Sequence, residues 1–210
     1  MRLVIFILLL LASSCQNSSK IPDEFDYGKI KNGLYTNDYF DFEMPVPSSW
    51  NVQNKQQVDE LQKQGEDLIS GNNNELKAKV KAASVQTANL LTAFKYKPQT
   101  IPGFNPSFII VAENLGNSGV KDATIYLDHA KNIMKQSSVL YQFDPDYHSD
   151  QVGNKDFSRM DVSLSANGDV VRQSYYCRIE KNFAFSLIIS YDSDVQKTEL
   201  KEIINKATFK

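Results

Sequence analysis

The segment FDPDYHSD, which ends at Asp150, holds the side chains with the most potential for chemistry. If this segment is extended, Asp144, Asp146, His148 and Asp150 point to one side, because alternate residues of a strand share a face. Carboxylates and an imidazole are ligands for divalent cations, and an imidazole also titrates near neutral pH. We keep these four residues as candidate ligands of an ion-binding or pH-sensitive patch, and we favour a solvated edge or loop.

The spacing excludes a calcium loop of the EF-hand type. Such a loop needs oxygen ligands at positions 1, 3 and 5, a glycine at position 6 and a glutamate at position 12. Counted from Asp144, position 6 is Ser149 and position 12 is Lys155. A cation bound by this segment would therefore need another geometry.

Two further reactive side chains have ordinary structural explanations. Cys177 lies in VVRQSYYCRIE, where alternate residues share one face of a predicted strand, and free cysteine readily packs as a small buried apolar residue. His129 lies beside the apolar stripe of a predicted helix and has no second ligand three or four residues away. We therefore expect Cys177 to be buried and His129 to be exposed.

The sequence lacks the motifs of common enzyme classes. The segment 116–119 reads GNSG instead of G-x-S-x-G, and there is no H-E-x-x-H, Walker loop or dinucleotide fingerprint. Only His129 and His148 are available as the base of a Ser-His-Asp or Cys-His arrangement, and neither has a recognisable context. We expect no enzymatic activity and no cofactor.

The first fifteen residues, MRLVIFILLLLASSC, have the regions of a secretory signal. Arg2 supplies the charge, residues 3–11 form the apolar run, and three small residues precede Cys15. The run is less than half of the roughly 20 apolar residues that a membrane-spanning helix needs. The segment resembles the bacterial lipoprotein signal, although Ala12 stands where that family usually has leucine. The resemblance implies that residues 1–14 are removed and that Cys15 carries lipid.

The residues after the cysteine indicate how the molecule would be held. In residues 15–32 we expect the lipidated cysteine followed by a flexible tether, because the residues after Cys15 are polar and have no sustained period. A flexible coil of this length spans roughly 20 to 25 Å. Gln16 is not the aspartate that retains many enteric lipoproteins in the inner membrane. By this analogy we expect a cell-envelope protein anchored in the outer membrane and facing the periplasm.

Charge and cysteine content limit the possible partners. Removal of residues 1–14 takes away Arg2 and no acid, which leaves 22 basic and 25 acidic side chains. This balance provides no basic stripe for nucleic acid and no polybasic patch for anionic lipids. If Cys15 carries lipid, Cys177 has no partner for a disulfide.

Periodicity predicts an alternation of strands and helices in residues 33–210, which we interpret as a single domain. The predicted strands are Tyr35–Met44, Ala88–Lys97, Ser107–Leu115, Lys155–Ser165, Val170–Glu180 and Phe183–Tyr191. The predicted helices are Lys55–Ser70 and Glu75–Ala83, which form an insert at about 53–83, then Lys121–Ser138 and a closing helix after Ser193.

Several local signals support this division. Asn167-Gly168 predicts a tight hairpin. Ser193 with Gln196 has the form of a capping box. Trp50 follows a proline turn and is expected in the core. The segments LLTAF, FIIVA and FAFSLIISY are apolar on both faces, so both faces of the sheet must be covered. We therefore predict an α+β fold with a mostly antiparallel sheet and helices on both faces, and not a simple barrel.

This order of elements resembles the PsbP-like family. The resemblance is carried by FDFEMPVPSSWNV near the start of the domain and by SLIISYDSDVQKTELKEIINKATF at its end. It implies an α/β/α sandwich of the PsbP, Mog and DcrB type, carried here on a bacterial lipoprotein. It transfers no site residues, because no metal or partner motif of that family is identifiable in this chain.

The functional prediction is a non-enzymatic, membrane-anchored envelope lipoprotein that binds a partner protein or stabilises an envelope assembly. An alternative is a carrier of a small apolar ligand or lipid, suggested by the aromatic side chains of the predicted strands. Core packing is the simpler explanation of these aromatic residues, which include Phe94, Phe104, Phe108, Tyr175, Tyr176, Phe183 and Phe185. A lesser alternative is a divalent-ion-binding module built on Asp144, Asp146, His148 and Asp150.

Overall fold

A computed structural model describes residues 20–116, 118–166 and 169–210. The predicted signal peptide, Cys15 and the Asn167-Gly168 turn lie outside these residues. The strands are β1 Lys29–Lys31, β2 Leu34–Asn37, β3 Phe42–Pro45, β4 Asn51–Val52, β5 Thr87–Phe94, β6 Ser107–Asn114, β7 Leu140–Phe143, β8 His148–Val152, β9 Lys155–Ala166, β10 Asp169–Glu180, β11 Phe183–Tyr191 and β12 Thr208–Phe209. The helices are α1 Lys55–Ser70, α2 Asn74–Ser84, α3 Ala123–Gln136 and α4 Asp194–Ile204.

The larger of two sheets has eight antiparallel strands. Their order is β4-β5-β6-β11-β10-β9, and β7 and β8 pair end to end with the outer edge of β9. All nine residues of β11 are buried. The predicted three-stranded meander is confirmed, as is the central position of its last strand, which lies between β6 and β10.

Helices α1, α2 and α3 cover one face of this sheet. Their apolar stripes contribute Ile69, Leu76, Val80, Tyr126 and Met134 to a core that also includes strand residues of β6, β9 and β10. The helices of the predicted insert are confirmed, and α1 has the predicted bounds. Among the described residues, no helix is both long and apolar enough to cross a membrane.

The opposite face is covered by α4 and by a second sheet of four strands in the order β1-β2-β3-β12. This interface is rich in aromatic side chains: Phe42 and Phe209 pack on Phe185 at ring-centroid distances of 5.2 and 5.8 Å. Trp50 is buried in the same core, 5.1 Å from the Phe108 ring. Helices therefore lie on both faces as predicted, but the small sheet shares the second face with α4.

The prediction of one strand over Tyr35–Met44 is wrong, because the chain turns back between β2 and β3. Asp41 adopts a positive φ of 51°, and the Asn37 side chain accepts a hydrogen bond from the Phe40 amide at 2.9 Å. Asp26 accepts a further one from the Asp38 amide at 2.6 Å. These contacts stabilise a hairpin within a sequence that alternates like a single strand.

The interpretation of residues 15–32 as a flexible tether is wrong for the part of this segment that the structure describes. From Lys20 onwards the chain packs against the domain: Phe25 is buried and stacks on Phe183 at 5.3 Å, and β1 pairs with β2. The physical reason is the apolar side chain of Phe25, which lies between polar neighbours and fills a gap in the aromatic core.

Two other details differ from the sequence analysis. Ser193 is the N-cap of α4, but its side chain makes no capping hydrogen bond, and Gln196 instead accepts one from the Asp192 amide at 2.9 Å. Strands β1, β4, β7, β8 and β12 were not predicted, because each is only two to five residues long.

Helix α3 begins at a charged cap. The Asp122 carboxylate accepts hydrogen bonds from the Thr124 hydroxyl and from the amides of Thr124 and Ile125. These bonds lower the pKa of Asp122 below its ordinary value. A lowered folded-state pKa contributes stability above the unfolded pKa of about 3.9, and this contribution is lost as pH falls through the folded pKa.

We therefore expect Asp122→Ala to lower the Tm by a few degrees at pH 7, through loss of the cap. The difference from the parent protein should shrink as pH falls below about 4. Asp122→Asn is the matched control, because asparagine also caps helices but does not titrate. Thermal unfolding followed by circular dichroism between pH 2.5 and 7 measures both effects. An Asp122→Ala deficit that persisted unchanged at pH 2.5 would contradict this account.

Candidate functional site

The structure separates the four residues that the sequence placed on one side. Asp144 and Asp146 lie between β7 and β8, whereas His148 and Asp150 lie in β8, so the four residues do not form one extended strand. The Asp146 amide donates to Asp144 Oδ1 at 3.2 Å, and Asp146 is exposed. Asp144 Oδ2 lies 3.7 Å from His148 Nε2, whereas Asp150 points instead to Arg159. Only Asp144 and His148 therefore come together.

Asp161 of β9 completes a cluster that sequence spacing did not reveal. One ligand atom each from Asp144, His148 and Asp161 lies within 4.8 Å of the others. The approach is fixed by the backbone, because the Asp144 amide donates to the Asp161 carbonyl at 3.0 Å. Two carboxylates and an imidazole form a ligand set that zinc or manganese accepts.

The Asp161 carboxylate is already engaged by other groups. Arg159 Nε donates to it at 3.1 Å, the Ser174 hydroxyl donates to its second oxygen, and Lys197 Nζ lies 4.0 Å away. Burial alone would lower the pKa of Arg159, but Asp161 and Asp150 outweigh burial and raise it. A cation would therefore have to displace an ion-pair network, which favours a structural role for this cluster.

Substitutions can distinguish a structural role of this cluster from a metal site. We expect Asp161→Asn to destabilise the domain by roughly 1–2 kcal/mol, because it removes one of the two carboxylates that pair with the partly buried Arg159. His148→Ala should change stability by less than about 0.5 kcal/mol, as an exposed pair contributes little. Urea unfolding measures both, with and without zinc or manganese. A metal-dependent stabilisation lost in both variants would instead identify a metal site.

Cys177 and Glu113 are chemically capable groups in the interior. Cys177 is fully buried, and desolvation raises the pKa of its thiol to about 12. Glu113 is also buried and accepts a hydrogen bond from the Tyr126 hydroxyl at 2.8 Å, which ties α3 to β6. His129 is exposed. The predicted positions of Cys177 and His129 are confirmed, and Glu113 was not singled out from the sequence.

A groove of about 630 Å³ lies at the other end of the large sheet. Its walls come from the first turns of α1, the end of α2, strands β4 and β5, and the N-terminal segment with the β1–β2 hairpin. This volume is within the range of about 300–1,000 Å³ that is usual for ligand sites. We call it the β5 groove.

The β5 groove contains polar groups that have no partner. Thr92 is 2% exposed, and its hydroxyl makes no hydrogen bond with any described residue. The Asn89 side-chain oxygen is also buried and unpaired, although its amide nitrogen donates to Gln62 Oε1 at 2.9 Å. Buried polar groups are usually hydrogen-bonded, so these two atoms are exceptions within the residues that line the groove.

Exposed apolar side chains surround the same groove. Tyr27, Ile30, Val52 and Val85 line it and are 49%, 42%, 37% and 47% exposed. Clustered exposed apolar residues are typical of interaction sites, whereas scattered ones need no explanation.

The aromatic residues that suggested a carrier do not line the β5 groove. Phe94 and Tyr175 pack in the core under α1–α3, whereas Phe108, Tyr176, Phe183 and Phe185 pack in the opposite core. Their burial is explained by the two faces of the sheet, which removes the observation that motivated the carrier hypothesis.

The unpaired hydroxyl gives a test of the β5 groove. We expect Thr92→Val to stabilise the protein by roughly 1 kcal/mol, because it removes a buried polar group without a partner. For a domain of this size that corresponds to a rise of about 2–4 °C in Tm. Thr87→Val is the matched control. Its hydroxyl donates to the Ala83 carbonyl at 3.0 Å, so its loss should destabilise by a similar amount. Thermal unfolding that moved in the same direction for both variants would contradict this assignment.

Comparison with known proteins addresses the fold. No protein-family model and no curated protein matches the sequence. The solution structure of cyanobacterial PsbP (CyanoP) from Synechocystis sp. PCC 6803 is similar over 87% of this chain and 96% of that chain, with a TM-score of 0.51 and 9% sequence identity. The chain has a PsbP-like fold.

A second solved structure also matches. It is LpqN, described as involved in cell envelope biogenesis of Mycobacterium tuberculosis, with a TM-score of 0.44 and 16% identity over 80% of this chain and 82% of that one. At the 9% sequence identity to cyanobacterial PsbP, function does not follow from the shared fold.

Proposed function

We propose that this protein is a non-enzymatic lipoprotein of the bacterial cell envelope, anchored by lipid on Cys15, which binds a partner protein through the β5 groove or stabilises an envelope assembly. The observation that carries the proposal is the β5 groove itself. It is a cavity of the size usual for ligand sites whose lining carries exposed apolar side chains, a combination that is typical of surfaces that are covered on binding.

The position of the β5 groove supports a role at the membrane. Ile21 lines it and lies six residues after Cys15. An extended chain spans at most about 3.6 Å per residue, so roughly 20 Å separates the groove wall from a lipidated cysteine. The segment from Lys20 to Lys31 does not lengthen this connection, because it packs against the domain. The groove would therefore face partners at the membrane surface.

The placement of the reactive groups supports binding over catalysis. A nucleophilic thiol needs a lowered pKa and access to substrate, whereas Cys177 has a raised pKa and is fully buried. The Asp161 carboxylate, which could act as a base, is held by Arg159 and Ser174. These side chains are arranged for stability of the fold.

Gln16 after the lipidated cysteine supports delivery to the outer membrane, with the domain facing the periplasm. Two acyl signals anchor stably where a single chain binds only reversibly, so a lipoprotein with several acyl chains would stay on the membrane. The domain needs no further membrane contact for this location.

The anchor is tested by labelling the full-length protein in a bacterial host with radioactive palmitate. We expect incorporation and membrane association for the parent protein and for Cys177→Ala, and neither for Cys15→Ser. Thiol titration gives an independent measurement. We expect no reactive thiol in the native parent protein and one reactive thiol, that of Cys177, after unfolding. Two reactive thiols after unfolding would show that Cys15 is not lipidated and would refute the anchor.

Partner binding is tested by photo-cross-linking in the native envelope. A benzophenone amino acid replaces Val85, on the β5 groove, or Val195, which is 79% exposed and lies on α4 away from it. We expect a discrete cross-linked species from the first position and none from the second. Equal or absent capture at both positions would refute the β5 groove as the binding site.

A further inference from the structure

Strand β5 has an outer edge that is paired only at one end. β4 pairs with Ala93 and Phe94, and the Gln53 amide donates to the Thr92 carbonyl at 2.9 Å. From Thr87 to Leu91, no strand among the described residues pairs with this edge, while the inner edge pairs with β6. The unpaired stretch forms the floor of the β5 groove.

The two ends of the large sheet protect their edges differently. At the far end, β7 and β8 are short, and the turn between them carries Asp144 and Asp146, so charge blocks the addition of another strand. The unpaired part of β5 reads Thr-Ala-Asn-Leu-Leu and carries no charge. An uncharged strand edge in a groove is suited to accept a further strand.

The charges around the β5 groove are already paired. Lys55 lies 3.1 Å from Asp59, and Lys29 lies 3.7 Å from Asp38. Two lysines and one aspartate line the groove, and each lysine has a carboxylate within 4 Å, so the lining favours an uncharged segment over an anionic ligand. The open edge of β5 offers backbone hydrogen-bonding groups, which a peptide backbone can pair with and a hydrocarbon chain cannot.

We propose that the β5 groove binds an extended, uncharged peptide segment of a partner protein, which adds as a strand to the outer edge of β5 at Thr87–Leu91. This rests on the proposed function, and it specifies the partner at the same site. The open edge is five residues long, about 17 Å at 3.4 Å per residue. Backbone hydrogen bonds supply the pairing, and the exposed side chains of Ile30 and Val85 contact alternate apolar side chains of the segment.

The described chain begins beside this site, which limits where the partner segment is presented. Ile21 forms part of the groove wall, and only residues 16–20 separate it from Cys15. The segment must therefore reach within about 20 Å of the lipid anchor. A membrane-proximal, extended stretch of an envelope protein has this position.

The test uses full-length protein in detergent and a panel of capped octapeptides in which valine or leucine alternates with serine or threonine. Fluorescence anisotropy measures affinity, and amide NMR identifies the contact. We expect saturable binding with the largest shifts at Thr87–Leu91. N-methylation of alternate peptide amides should abolish binding, because it removes the backbone donors while keeping the side chains.

Matched substitutions separate the site from the rest of the surface. We expect Val85→Gln to raise the dissociation constant about tenfold and Val195→Gln to leave it unchanged. We expect a fluorescent fatty acid not to bind in the β5 groove, so the peptides should not compete with it.

Three results would overturn the proposal: no peptide of the panel binds, N-methylated peptides bind equally well, or a fatty acid binds with the Val85→Gln sensitivity expected of the peptide. These failures are distinct from failure of the proposed function. If palmitate labels Cys15 and Val85 cross-links a protein while the peptides fail, the lipoprotein function stands and the strand-addition mode is wrong.

Discussion

The structure depends on a sheet whose central strands are apolar on both faces. β11 is buried throughout, and β6 is buried over all but its last residue, so neither face of the sheet can meet water. Each exposed face would cost roughly 25 cal/mol per Å² of apolar surface. Helices α1–α3 cover one face, and α4 with the small sheet covers the other. The docking of Phe25 follows from the same requirement, because it completes the second cover.

The sequence predicted the elements whose periodicity reflects this burial. The apolar stripe of α3, the apolar run of β11 and the meander of β9 to β11 each depend on a local pattern of residues, which can be recognised in the sequence. The hairpin at Asp41 was missed because it depends on a positive φ and on Asp26, which lies far from it in sequence. The Gly153-Asn154 pair is a hairpin signal in the sequence and forms the β8–β9 turn. The structure adds a reason for the glycine, because a side chain on Gly153 would overlap the Ala207 carbonyl.

The candidate sites were less predictable than the fold, because both are made by pairing between distant segments. Asp144 and His148 are four residues apart, but Asp161 joins them only through the register of β7 and β9. The β5 groove combines six segments of the chain, and none has a motif. Its informative feature is the unpaired Thr92 hydroxyl, which becomes visible only when burial and hydrogen bonds are known together.

Anchoring explains how so short a strand edge could select a partner. A five-residue edge provides few hydrogen bonds, each contributing about 1 kcal/mol, and association in free solution costs several kcal/mol in lost translational and rotational freedom. If both proteins are held at one membrane by short connections, the effective concentration reaches the millimolar range and much of that cost is already met. If Cys15 carries lipid, the docked segment from Lys20 onwards would hold the β5 groove close to the membrane, whereas a long flexible tether would leave its height variable. A weak contact in solution thereby becomes selective at the membrane surface.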